Sequence, residues 1–390
     1  MSAGSAGPIV ERILAGAEPA PGGASLESIE TPAAVVDLSR LDASLRRTAA
    51  YCRQHGLGYR PHTKTHKSPV IGAAQLVAGA TGLTVATLCE AEVMAEVCDD
   101  LLLAYPQVGA AKLARLMRLA GRVRRLSVAL DSPDALAALA AAAEASGQSV
   151  GVMIEWDAGM GRVGVQTPAD AVALGRAAAG ARRLRYGGLM FYPGHIREGG
   201  EDGKRALGVV RTRLAEVLDA LDRAGLTPAT VSGGSTPTLW LSHALPMLTE
   251  VRPGTTVFND RTTAVVGASA WDDCAYSVLA TVVSTAVPGQ AVIDAGSKAL
   301  SKEELRGAGG GYGALLDRPD VVVTALSEEH GILDLRQTEW RPRVGDRVRV
   351  VPNHVCVSVN LQEQVWGLTE SDIRCRWPVA ARGRTFQSCN

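Results

Sequence analysis

From residue 33 onward the apolar positions fall into a repeating alternation. Short runs that are apolar on both faces, such as Ala33-Ala34-Val35-Val36-Asp37-Leu38, alternate with longer stretches where apolar residues recur every three or four positions, as Leu38, Leu41 and Leu45 do. The first pattern predicts buried strands and the second amphipathic helices. Strands are predicted over 33–38, 57–60, 83–86, 101–104, 126–130, 150–155, 187–191 and 229–232, with helices over 39–54, 69–78, 90–97, 109–120, 134–145, 168–179 and 205–224. Strands that alternate with helices of this length pair in parallel, and about eight such units suit a closed (β/α)8 barrel. An open, doubly wound sheet is the alternative.

After residue 261 the rhythm changes. Short β-branched runs at 277–284, 290–294, 321–325 and 346–351 are separated by turn residues, and no helical period appears. This predicts a separate all-β domain. The expected organisation is a Gly-, Ala-, Ser- and Pro-rich lead over 1–27 able to pack on the β domain, a barrel over 28–261 and a β domain over 262–390.

Composition narrows the class. Hydrophobic residues make up 46% of the 390 and charged residues 21%, enough for a large core and against global disorder. Lysine plus arginine equals aspartate plus glutamate, at 40 each, so no net field favours nucleic acid or an anionic membrane. The seven cysteines are odd in number, irregularly spaced and without a CxxC, which argues for a reducing compartment. The N-terminus lacks the pattern of a secretory leader, and no apolar run reaches 18 residues. These features suggest a soluble cytoplasmic protein.

If a barrel is present, its chemistry belongs at the C-terminal ends of the strands, and the suggestive residues follow predicted strands. Lys64 lies in Arg60-Pro61-His62-Thr63-Lys64-Thr65-His66-Lys67. Like charge and partial burial can keep such an amine neutral, the form that attacks a carbonyl to make a Schiff base. A basic surface loop is the alternative. Arg162 sits among the glycines of 159–164, placed to bind a carboxylate or a cofactor ring, or to pair with Glu155 or Asp157. Tyr192 and His195 follow the next strand, as cofactor contacts or acid–base groups, or as barrel caps. Gly233, Gly234, Ser235 and Thr236 read as an anion cradle, since the glycines let backbone approach a ligand and the hydroxyls donate. An ordinary βα turn would look similar. If 350–361 is extended, His354 and Cys356 project from one face and can share Zn2+, with water or substrate completing the shell. Packing is the other reading of that pair. Glu328-Glu329-His330-Gly331 is a further site-like cluster, or a solvated turn.

In this order the motifs resemble the D-serine dehydratase and D-threonine aldolase family, fold-type III pyridoxal-phosphate enzymes with an alanine-racemase-like barrel. The resemblance runs from Thr31-Pro32 to the C-terminus. It is carried by the segment around Lys64, by Gly159-Met160-Gly161-Arg162-Val163-Gly164, by Tyr192-Pro193-Gly194-His195 and by Gly233-Gly234-Ser235-Thr236. Asp294-Ala295-Gly296-Ser297-Lys298, Ser327-Glu328-Glu329-His330-Gly331 and His354-Val355-Cys356 complete the series.

The resemblance implies Lys64 as the Schiff-base lysine, with His62, Arg162 and Tyr192 at the cofactor and Gly233, Gly234, Ser235 and Thr236 on its phosphate. It implies Lys64, Tyr192 and His330 as catalytic groups, and a divalent metal, Zn2+ or Mn2+, at His354 and Cys356. The substrates implied are small D-configured β-hydroxy amino acids and the assembly a homodimer, each β domain closing its neighbour's barrel mouth. His-x-Cys, rather than His-x-Asp, leans toward dehydration to a 2-oxo acid and ammonia. Retro-aldol cleavage to glycine and an aldehyde is the alternative, and an amino-acid racemase a further one. A racemase would need a second base and no metal. A pyridoxal-phosphate carrier lacking activity would lack the added domain, and a sugar-phosphate barrel enzyme would lack the cofactor.

Overall fold

The computed structural model describes residues 7–306, 309–370 and 372–383. The chain divides into two compact units. One comprises residues 48–64 and 78–254, and the other residues 1–47, 65–77 and 255–382, as far as these are described.

The first unit is an eight-stranded parallel sheet. Its order is Gly58–Tyr59, Glu250–Val251, Thr230–Gly233, Leu184–Phe191, Val150–Trp156, Arg125–Leu130, Asp100–Leu103 and Leu83–Val85. A parallel bridge between His62 and Thr84 joins the two ends, closing the ring. Strands of this kind are covered on both faces, which is why Val150–Trp156 is buried at every position. Leu102, Ala129, Met153 and Met190, from four adjacent strands, form one buried layer. Hydroxyl N-caps start three of the outer helices: Thr87 accepts from Glu90 N–H, Ser132 from Ala135 N–H and Thr167 from Asp170 N–H.

The second unit is a mostly antiparallel ten-stranded sheet. Six of its strands, Tyr276–Ser284, Gln290–Ile293, Gly331–Asp334, Arg318–Leu326, Gly313–Leu315 and Arg347–Pro352, close on themselves because the first also pairs with the last. The barrel and the β domain are both present, but the first predicted barrel strand belongs to the second sheet. Ala33–Asp37 pairs antiparallel with Tyr276–Ser284 and parallel with Gln364–Thr369. The eighth barrel strand is Glu250–Val251, two residues long. The β unit therefore takes in N-terminal chain and is not confined to the C-terminal third. Among the described residues no helix is long and apolar enough to cross a membrane.

Candidate active site

At the C-terminal end of the barrel strands, four loops bring the predicted cofactor residues into one unit. Thr63–Thr65 forms a 3-10 turn, pinned by Thr63 Oγ1 donating to Thr84 O at 3.1 Å. The turn leaves Lys64 half-buried, its amide 3.4 Å from His62 Nδ1. Lys64 Nζ lies 5.7 Å from the centroid of the Tyr192 ring, and Arg162 Cζ lies 5.3 Å from the same centroid. Tyr192 follows the strand Leu184–Phe191, and a Cβ on Gly194 would collide with its ring. The phenol face thus joins a primary amine to a guanidinium.

Arg162 takes its place from a loop wound around Asp157. That carboxylate accepts from the amides of Gly159, Met160 and Gly161 at 3.0, 2.9 and 3.1 Å. Burial opposes the Asp157 charge, yet these bonds and one from Gln166 hold its carboxyl below the ordinary range. Gly159, Gly161 and Gly164 have φ of +114°, +67° and +115°, conformations that side chains rarely adopt. Asp157 is occupied by backbone, and no ion pair of Arg162 is found among the described residues, although its charge acts on Glu155. His195 is exposed against Gly159.

The glycine turn after Thr230–Gly233 has the form of a cradle. Gly234 has φ +88°. Ser235 and Thr236 are buried, and Ser235 Oγ lies 3.0 Å from Thr238 Oγ1. Beneath it runs a chain of buried charge that the sequence did not reveal. Ser232 Oγ donates to Glu250 Oε1 at 2.6 Å and accepts from Arg252, whose Nη2 donates to Phe191 O at 2.8 Å. Glu250 Oε2 takes the Arg60 guanidinium at 2.9 Å, and Arg60 reaches Asp100 at 3.0 Å. Arg60 is therefore neutralised by two carboxylates and is no loose positive charge beside Lys64. Burial lowers the proton affinity of Arg252, against Glu250 and Glu155. Burial likewise raises the Glu155 carboxyl, against Arg252 and Arg162.

The flanking histidines differ. His62 is half-buried. His66 is a core imidazole: Nδ1 accepts from Ser68 N–H at 3.1 Å and Nε2 faces Gln75 Oε1 at 3.3 Å. With no charge to compensate it, burial pushes the His66 imidazole down to about 4.

In the β unit, His354 and Cys356 are not on a strand. His354 caps the helix Val355–Leu361 and Cys356 lies in its first turn. The two side chains still meet within hydrogen-bond reach. Asp260, fully buried, explains the geometry. Its Oδ2 lies 3.1 Å from His354 Nδ1 and accepts from Val355 N–H at 3.0 Å, while Oδ1 caps Arg261–Val265 through Thr263 N–H at 2.8 Å. Cys356 Sγ lies 3.2 Å from Thr65 Oγ1. Burial disfavours a charged His354, but the Cys356 and Asp260 anions outweigh it and raise the imidazole to about 11. The corner therefore favours a cation. With a carboxylate on Nδ1, Nε2 is the donor left for a metal, the usual carboxylate–histidine–metal order. Among the described residues no cluster of three or more His, Cys, Asp or Glu side chains is arranged to hold a metal ion. The pair supplies two donors of the imidazole and thiolate types that suit Zn2+. His330 is exposed in the turn before Gly331–Asp334, and its neighbours Glu328 and Glu329 pair with Lys298.

Comparison with known proteins agrees with this geometry. The family model for the alanine racemase N-terminal domain matches residues 36–262, and that for a putative serine dehydratase domain matches residues 275–368. A D-threo-3-hydroxyaspartate dehydratase of Delftia sp. (strain HT23) is 36% identical over 359 residues, spanning 86% of this chain and 93% of that one. A D-threonine aldolase of Arthrobacter sp is 32% identical over 374 residues, spanning 94% and 96%. The crystal structure of D-threonine aldolase from Filomicrobium marinum matches with a TM-score of 0.87 at 31% identity, covering 95% of this chain and 100% of that one.

Proposed function

Because the chain belongs to the D-serine dehydratase and D-threonine aldolase family of pyridoxal-phosphate-dependent lyases, we propose that it dehydrates and deaminates D-configured β-hydroxy amino acids to 2-oxo acids. The observation that carries the reading is the His354–Cys356 pair, oriented by Asp260. The resemblance associates cysteine at this position with dehydratases. In support, a solved D-threo-3-hydroxyaspartate dehydratase, 33% identical, is a cysteine-to-alanine mutant in the metal-free form.

Bound pyridoxal phosphate supplies an electron sink for charge that develops at Cα. His354 and Cys356 would hold Zn2+ or Mn2+, which would supply Lewis acidity for the loss of the hydroxyl. This chain's own residues do the rest. The Lys64 amine would hold the cofactor aldehyde, and its half-buried position suits it to carry a proton at the substrate's Cα. Tyr192 faces that amine at the distance given above and is the proposed second proton carrier. Arg162 and His62 would border the ring, while Ser235, Thr236 and the amides of Gly233 and Gly234 would hold the phosphate. His330 is proposed as an acid–base group reached across a homodimer, with light scattering as the check on assembly. A cytosolic location is also proposed.

The deciding experiment supplies D- and L-serine, D- and L-threonine and 3-hydroxyaspartate, and scores 2-oxo acid plus ammonia against glycine plus aldehyde. A 2-oxo acid from the D-substrates is expected. Glycine plus aldehyde would replace the dehydratase reading with the aldolase one, and exchange of α-hydrogen alone would indicate a racemase.

A further inference from the structure

Asp260 orients one of the two proposed metal donors, the His354 imidazole. The other, Cys356 Sγ, meets a hydroxyl: Thr65 Oγ1 lies 3.2 Å from it. Thr65 is fully buried. Among the described residues the sulphur is the only hydrogen-bond partner of its side chain. A buried hydroxyl needs a partner, and most side-chain hydrogen bonds inside proteins go to backbone. Thr63, two positions earlier, follows that rule by donating to Thr84 O. Thr65 instead takes sulphur, a weak acceptor as a thiol and a much better one once it carries charge as a metal ligand. Thr255 Oγ1 stands farther from the same atom, at 4.0 Å.

The backbone that delivers Thr65 is held under strain. Thr65 ends the turn Thr63–Thr65, and two residues later Lys67 has φ +50°. Side-chain-bearing residues rarely adopt that conformation. Ala381 N–H donating to Lys67 O at 3.0 Å and Ser68 N–H donating to His66 Nδ1 at 3.1 Å keep the chain there. Gly72 N–H on Ser68 O at 3.0 Å ties the segment to the helix that follows. Strained backbone persists where the surroundings over-determine it, and it clusters where the placement of a group matters. The group placed here is the Thr65 hydroxyl.

The geometry points to Thr65 as a positioning residue for the metal: its hydroxyl donates to Cys356 Sγ and fixes the direction in which the sulphur offers its remaining lone pairs. This rests on the proposed metal at His354 and Cys356. A metal-bound sulphur has no proton, so the hydroxyl is then the donor. Each donor of the corner has one outer partner, Asp260 on the imidazole and Thr65 on the sulphur. Removing such a partner costs about 10–100-fold in metal affinity.

The test loads wild type, Thr65→Val and Thr65→Ser with Zn2+ and, separately, with Co2+. Competition with a chelator is expected to show Zn2+ bound about tenfold more weakly by Thr65→Val, with Thr65→Ser close to wild type. The sulphur-to-Co2+ charge-transfer band should move to longer wavelength in Thr65→Val, because a sulphur without its hydrogen bond gives up electron density more readily. Thr65→Ser should return the band. An unchanged affinity and band in Thr65→Val overturn the assignment. So does a Thr65→Ser that behaves like Thr65→Val, which would mean that the methyl group matters and the hydroxyl does not. Thr65→Ala carries the same expectations should Thr65→Val not fold. Neither readout depends on which reaction is catalysed. A wild type that takes up neither ion, or shows no such band, removes the metal at Cys356 and this role with it; a wild type with the band and an unmoved variant removes the role alone.

Discussion

The cofactor end of the barrel and the His354–Cys356 corner of the β unit solve the same problem, holding a reactive group still, in different ways. At the barrel each group comes from its own strand end: Lys64 after Gly58–Tyr59, Arg162 after Val150–Trp156, Tyr192 after Leu184–Phe191 and Ser235 after Thr230–Gly233. Their common frame is the sheet, braced below by the Arg60–Glu250 and Ser232–Arg252 contacts. In the β unit two donors lie two residues apart, and one distant carboxylate, Asp260, orients one of them and caps both helices. A site assembled from strand ends has many supports and fails gradually when one is lost. A site oriented by one carboxylate depends on that group.

Removing Lys64 is the hardest blow to the barrel side, because among the described residues no other lysine amine is found over the Tyr192 ring. Lys64→Ala should lower turnover by more than about 10^3-fold and abolish the visible-edge absorbance of the holoenzyme. A mutant that is still yellow and active would refute the role of Lys64.

The β corner should be broken next most severely by taking away the proposed cation. EDTA followed by desalting should cost about 10^3-fold in activity, restored by Zn2+ or Mn2+, if Lewis acidity supplies several kcal/mol to the leaving hydroxide. Full activity in a sample shown by elemental analysis to be metal-free would dispose of the metal. Asp260→Asn sharpens the contrast between the two regions. Loss of the carboxylate on His354 Nδ1 should weaken metal affinity about 10–100-fold, with a further stability loss of about 1 kcal/mol because an amide nitrogen cannot accept from Val355 N–H. Titration with a competing chelator measures the first effect and urea unfolding the second.

The bracing under the barrel is read by stability more than by chemistry. Glu250→Gln leaves Arg60 with Asp100 alone and disturbs Ser232, and breaking a buried pair of this kind costs about 3–5 kcal/mol. Denaturant unfolding measures it. A change below about 1 kcal/mol would mean that the chain of charges is dispensable.

What could be read from the sequence follows the same division. Lys64, Arg162, Tyr192 and the 233–236 turn were legible because each sits in a short local motif beside glycines whose conformations the loops require. The barrel itself was legible from its alternating periods. Ala33–Asp37 was misplaced because a strand buried on both faces looks alike in either sheet, and Glu250–Val251 is too short to show a pattern. His354 and Cys356 meet as expected despite a wrong local geometry, since the helix brings their side chains together as an extended strand was expected to do. Asp260 and Arg252 were invisible, because their partners lie 94 and 61 positions away in sequence.

The two histidines beside Lys64 carry the smallest and most specific contrast. They are equivalent in the sequence, but of the two it is His66 that is sealed in the core, where burial holds it as the neutral imidazole. Its folded value, about 4, lies below the unfolded value of 6.5. Between those limits the unfolded chain binds a proton that the folded chain refuses, so stability is complete above pH 6.5 and declines as the pH falls toward 4. At 1.36 kcal/mol per pH unit the loss attributable to this ring is about 3 kcal/mol. Urea unfolding at pH 7 and pH 4.5 should show His66→Gln less stable than wild type at the higher pH but with a flatter acid slope. Parallel slopes in the two proteins would mean that the ring takes up its proton without disturbing the core.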